Sequence, residues 1–100
     1  MQEIFFEWDF RKNDLNIKKH NVSFTEAIEV FSDEKAILFD DPDHSVEEER
    51  FLIIGMTAES KICVVSHCYK EEDVIRIISA RKATKKETDS YYTEAGGVLK

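Results

Sequence analysis

The sequence predicts an α+β fold: an antiparallel sheet of four to five strands, packed by two N-terminal helices and one C-terminal helix, in the order β-α-α-β-β-β-β-α. Three observations predict it. Two apolar runs, residues 51–56 and 62–66, are hydrophobic throughout, as central strands covered on both faces are. Short polar turns at 57–61 and 70–73 join consecutive strands, which favours an antiparallel meander. The helical signals lie at the two ends of the chain.

The elements follow in order. Residues 2–8 (QEIFFEW) form a short aromatic and β-branched strand. Asp9 caps a weakly amphipathic helix over 10–20 whose only large apolar residues are Phe10, Leu15 and Ile17, so it leans on packing rather than on propensity. Asn21 suits a left-handed C-terminal cap. Ser23 to Glu26 reads as a capping box with Val22 and Ala27 as its staple. Phe24, Ala27, Ile28 and Phe31 then fall on one face of a second helix over 24–32. Ala36–Phe39 is a strand, and the acidic stretch DDPDHSVEEE after it, with His44 inside, is a solvated connection. Val74–Ala80 is the last strand. Thr84 to Glu87 is a second capping box, opening a helix to about Tyr92. A single domain over 1–93 and a flexible tail over 94–100, marked by Gly96-Gly97, complete the expectation.

Composition narrows the function. Apolar residues make up 42% of the 100, enough for a core, and no run approaches the ~20 apolar residues of a membrane span. With no basic, apolar leader at its start, the chain is expected in the cytoplasm. Cys63 and Cys68 are an odd number of residues apart in one strand, so they face opposite sides and stay free, buried thiols. There is no metal-ligand spacing and no glycine-rich phosphate loop, so neither a metal nor another cofactor is expected. The net charge is −7, yet residues 11–20 carry +3 and residues 74–86 carry +5, which leaves −15 for the rest. Two basic islands in an acidic chain suit a local anion site.

Read together, the motifs carry a resemblance. F-E-W-D at 6–9 is followed by Lys12, Asn16, Lys19-His20 and V-S-F-x-E-A at 22–27. D-x-D-H-S at 41–45, E-E-R-F at 48–51 and Ile54-Gly55 come next, then R-I-I-S-A-R at 76–81 and A-T-K-K-E at 83–87. In order and spacing this resembles the BrnT family, toxin halves of bacterial type II toxin–antitoxin pairs, over residues 5–92. Phe10 stands where proline is common in relatives and Asn21 where glycine is, and both fit the same local geometry. The resemblance implies a RelE-like fold and an endoribonuclease that stalls translation. It also implies a BrnA-like antitoxin of ribbon-helix-helix type, through which alone the toxin would meet DNA.

Metal-free RNA cleavage needs a base for the 2′-OH, cations for the phosphate and an acid for the leaving oxygen. Arg76 and Arg81 are the expected phosphate ligands, because a guanidinium fork grips two oxygens. Arg50 and Lys86 are further catalytic candidates, and His67 is the expected proton carrier. Glu48, Glu49 and Glu87 are alternative bases. Lys12, Asn16, Lys19 and His20 on the first helix, with Lys82 and Lys85, are the expected RNA-binding set. Trp8 is expected in the core, while the Tyr91-Tyr92 pair could stack on bases. One geometric condition applies. In a regular strand Arg76 and Arg81 point to opposite faces, and they share a face only if the strand bulges near Ser79. The rival expectation is a non-catalytic module that docks a partner protein through its basic islands.

Overall fold

The computed structural model describes residues 3–41 and 48–94. Strand β1 (Phe5–Glu7) leads into α1 (Phe10–His20), and α2 (Phe24–Ala27) tightens into a 3-10 turn over Ile28–Ser32. β2 (Ile37–Asp40), β3 (Phe51–Met56), β4 (Ile62–Glu71), β5 (Val74–Lys82) and α3 (Lys85–Glu94) follow. The sheet order is β1-β5-β4-β3-β2, with β2 to β5 as the expected antiparallel meander. The fifth strand differs in direction: β1 lies parallel to β5, Phe5 beside Val74 and Glu7 beside Arg76, so the sheet is mixed.

Strand β1 covers 5–7 rather than the expected 2–8, β5 runs on to Lys82, and two further elements differ more. β4 runs on to Glu71 because the polar residues after Ser66 stay in the ladder, and only Glu72 and Asp73 turn the hairpin. The second helix loses its α-helical period after Ala27, where the chain presses onto β3. A Cβ on Gly55 would stand 2.9 Å from the Val30 Cβ and 3.1 Å from the Val30 carbonyl oxygen, so glycine permits that approach. The solvated connection and the tail fall mainly outside the described residues: His44 lies in the stretch 42–47, and of the expected tail only Glu94 is described, as the last residue of α3.

The sheet has a core on each face. On one side Val22, Phe24, Ala27 and Val30 pack against Ile53, Cys63, Val65, Ile75, Ile77 and Ala80, with the Trp8 ring edge-on to Phe24 at 6.1 Å. On the other, Tyr91 of α3 covers Ile54 and Val64. The Tyr91 hydroxyl donates to Asp33 at 2.6 Å, and burial followed by that carboxylate pushes its pKa up to about 12. Tyr91 is therefore a structural pin rather than a base-stacking surface. Cys63 lies in the first core and both cysteines are free and buried.

α1 is held by a polar clip. Its capping residues behave as expected: Asp9 accepts from the Arg11 and Lys12 N–H groups, and Asn21 closes the helix at φ 59°. Its large apolar residues, however, face solvent, with Phe10 79% and Leu15 63% exposed, and the one buried residue is Asn16. The Asn16 Nδ2 donates to the carbonyls of Val22 and Ala80, both at 2.8 Å, and Oδ1 accepts from the Ala80 N–H at 3.1 Å. This overturns the expectation of Asn16 in an RNA groove, since every polar atom of the amide is spent on backbone. Asn13 adds a second tie, accepting from the Phe24 N–H at 2.8 Å. Replacing Asn16 by Ala leaves buried backbone groups unpaired, at roughly 1–3 kcal/mol each. Asn16→Ala is expected to lower the thermal midpoint by roughly 12 °C or more. A change under about 3 °C in calorimetry would remove the clip from its structural role.

Candidate active site

The site begins with a fault in the ladder. Ser66 pairs with Ser79 but His67 pairs with Ile77, so Ile78 is an extra residue on β5. A bulge of this kind shifts the alternation by one. Ile75, Ile77 and Ala80 consequently all point into the helix-side core, while Arg76 and Arg81 share the opposite face. The condition set by the sequence is met, and Asn16 grips the strand at Ala80, two residues beyond the bulge.

Arg50, the residue before β3, joins them. Ile53 lies in the helix-side core and Leu52 and Ile54 in the opposite one, so strand alternation carries Arg50 to the arginine face. Its charge is felt there: burial pushes the Cys68 thiol up, as does Glu48, while Lys70, Arg50 and Arg76 oppose them. Each arginine has an acid beside it. Arg50 lies 3.7 Å from Glu48, and Arg76 donates to Glu7 at 2.8 Å. Arg81 is held at both ends of its fork, Nη1 to Glu87 Oε1 at 2.7 Å and Nη2 to Oε2 at 2.9 Å.

Glu87 is the most constrained of these acids. Besides Arg81 it accepts from the Thr84 N–H at 2.9 Å, and its own N–H donates to the Thr84 hydroxyl at 3.1 Å, completing the expected capping box. Arg81, ahead of the Thr84 contact, holds its pKa at about 2. A carboxylate so stabilised is a weak base, which removes Glu87 from the proton-moving candidates. Glu7 is the residue the sequence reading missed. It sits one place before Trp8 in the F-E-W-D motif, but only the parallel register of β1 on β5 brings it to Arg76.

His67 is displaced from its expected role. It is fully buried on the helix side of the sheet, edge-on to Phe31 at 4.9 Å and ringed by Phe51 and Tyr69. Its Nδ1 lies 3.2 Å from the Val65 carbonyl, and burial pushes its pKa down, so the ring is neutral and sealed from the arginines by the sheet. Lys82, Lys85 and Lys86 are exposed around the start of α3, Lys85 beside Asp89 at 3.2 Å. Lys12 and Lys19 are exposed on α1, and His20 is half-buried in its last turn.

The comparisons with known proteins bear on family and fold. Residues 8–87 match the family model described as the ribonuclease toxin BrnT of type II toxin–antitoxin systems. The chain belongs to the BrnT family. Among solved structures, the 1.1 Å crystal structure of the Brucella abortus ribonuclease toxin BrnT is similar with a TM-score of 0.61 at 23% identity, covering 85% of this chain and 100% of that one. It shares the α+β fold. No curated protein matches at a significant level. Among the described residues no helix is long and apolar enough to cross a membrane.

The Arg81–Glu87 pair carries a pH signature. Glu87 is depressed in the folded state, so its contribution is complete above its unfolded pKa near 4.5 and is lost as pH falls toward about 2. Glu87→Gln is expected to cost about 1 kcal/mol at pH 7, discounted for solvent screening of the half-exposed arginine. The gap in thermal midpoint between wild type and variant should hold steady from pH 7 to 5 and close between pH 4.5 and 2. A gap unchanged at pH 2.5 would deny the pair this role.

Proposed function

We propose that this BrnT family member is a cytosolic, metal-independent endoribonuclease that blocks translation and is neutralised by a BrnA-like ribbon-helix-helix antitoxin. On this reading residues 1–93 act as one toxin domain, and the protein meets DNA only through the antitoxin. The observation that carries it is the gathering of Arg50, Arg76 and Arg81 on one sheet face, bordered by Lys82, Lys85 and Lys86.

Five residues of strand separate the Arg76 and Arg81 Cα atoms by about 15 Å, so the two arginines serve different phosphates of one RNA strand. We assign the scissile phosphate to Arg76, whose charge is balanced by the 45%-exposed Glu7 side chain. Glu7 takes the proton of the 2′-OH, the 2′-oxygen bonds to phosphorus as the bond to the 5′-oxygen breaks, and that oxygen takes a proton from solvent water to leave as a 5′-hydroxyl, giving a 2′,3′-cyclic phosphate. Arg50, across Cys68 from Arg76, adds to the charge that faces the phosphate. Arg81 and the lysines, with Lys86 now among them, bind the flanking phosphate. Lys12, Lys19 and His20 extend the cationic surface along α1.

A second reading, a non-catalytic module that docks a partner protein, has one observation in its favour: Arg76 and Arg81 are already engaged by Glu7 and Glu87. One experiment separates the two. The chain is induced without its antitoxin and growth and RNA are followed, and the purified protein is incubated with single-stranded RNA in EDTA. Cleavage to cyclic-phosphate ends is expected, with Arg76→Ala slowing it by about 100-fold or more while the thermal midpoint stays within a few degrees. Arg81→Ala should instead raise KM. Intact RNA and normal growth with soluble wild-type protein would sink the nuclease reading and leave the docking module.

A further inference from the structure

We infer that the groove between α3 and the β2–β4 part of the sheet is a nucleobase subsite, taking the unstacked base of the nucleotide whose phosphate lies on Arg81. The inference rests on the nuclease reading and adds to it a place where the RNA base is held.

The groove has a volume of about 310 Å3. Its floor is apolar, built from Leu52, Ile54 and Val64, and Phe39 of β2 forms its outer wall. The roof is one face of α3, where Lys86 and Ser90 stand a helical turn apart. Tyr91, packed on Ile54 and Val64, fixes that helix over the floor. This combination of an apolar slot and a few polar groups on the rim is how small aromatic ligands are held.

Continuity with the arginine face selects the occupant. Arg81 is the strand neighbour of Val64, on the same face. Glu87, which holds the Arg81 fork, also lines the groove. Two strand spacings, roughly 10 Å, separate β5 from the groove floor on β3, and Phe39 on β2 lies one spacing beyond it. The Arg81 side chain, held by the groove-lining Glu87, covers the first part of that span. The reach that remains is comparable with the span from phosphate to base in a single nucleotide. An anion on Arg81 therefore carries an attached base over Val64 toward Phe39, whose side chain is 40% exposed and free of the core clusters. Single-stranded RNA is bound in this manner, with a cation on the backbone and an aromatic ring under the base. The base-stacking role that the sequence suggested for the Tyr91-Tyr92 pair thus passes to Phe39.

The test uses the full chain and two uncleavable probes of equal charge, a 2′-deoxy trinucleotide and its abasic analogue, titrated by NMR. The trinucleotide is expected to bind about 5- to 100-fold more tightly than the abasic strand and to shift the amides of Phe39, Leu52 and Ser90. Phe39→Ala, at an exposed edge-strand position, should erase the difference while leaving abasic binding unchanged. Ser90→Phe, which fills the groove from the exposed helix, should do the same, so a folding defect in one variant does not decide the matter. Arg81→Ala should weaken both probes. Equal affinities, or shifts confined to residues 81–87, would overturn the base subsite and leave the nuclease reading standing. Failure of both probes to bind would overturn the subsite and the Arg81 phosphate site together. If Phe39→Ala abolished antitoxin binding but spared the trinucleotide preference, the groove would be a protein site and the inference would fall.

Discussion

Both backbone polar groups of Ala80 are taken by a single side-chain amide, that of Asn16, and much of the molecule is arranged around that contact. β1 pairs with β5 only as far as Arg76, so beyond that point the edge of β5 needs another partner. Asn16 supplies the donor and acceptor that a neighbouring strand would have offered. Its remaining amide proton goes to Val22, which ties the turn between α1 and α2 to the same place. The clip explains how α1 can dock while Phe10 and Leu15 face outward: hydrogen bonds to backbone do what an apolar stripe does in an ordinary helix. It also secures β5 just past the bulge, where an unsupported strand would be free to slip by one residue and send Arg81 into the core.

The charge of the chain acquires a local meaning at the arginine face. An isolated cluster of three guanidinium groups would repel itself, and here Glu48, Glu7 and Glu87 offset each in turn. The overall acidity is thus compatible with the proposed anion site, because some of the acids are counter-ions of these arginines. The three pairs are unequal. Glu7 meets Arg76 through one guanidinium nitrogen and Glu48 stands 3.7 Å from the Arg50 Nε, whereas Glu87 fills a whole guanidinium fork and caps α3 as well. A phosphate arriving at Arg76 displaces little, and one arriving at Arg81 must compete with a bidentate carboxylate.

Much of the fold was legible because it is encoded locally. Asp9, Asn21, Ser23 and Thr84 cap the helices as their types require, and the apolar runs at 51–56 and 62–66 are central strands. The misread features are those that depend on distant partners. The polar tail of β4 is held by pairing with β5, the 3-10 turn by Gly55, and the direction of β1 by the register of the sheet. The site divides in the same way. Arginines near one another in sequence could be named, and the bulge could be posed as a condition. The faces assigned to His67 and Asn16 could not, because an imidazole or an amide suits a wet surface and a sealed interior alike. What decides for His67 is a set of rings from Phe31, Phe51 and Tyr69, two of them on other elements.

The bulge and the two acids on either side of it produce a division of labour along β5. Upstream, Arg76 is joined to β1, a three-residue strand at the sheet edge, through one half-exposed carboxylate. Downstream, Arg81 is joined to α3 through two hydrogen bonds and a helix cap. On the proposed reading the proton moves at the first position, where the carboxylate that takes it, Glu7, is open to solvent. On the same reading the flanking phosphate is held at the second, where the backbone around the arginine is fixed by its tie to α3. Without the extra residue at Ile78 the two arginines would lie on opposite sides of the sheet and serve no common ligand. One unpaired residue, supported by one asparagine, therefore sets whether the basic segment 76–86 acts as a single surface.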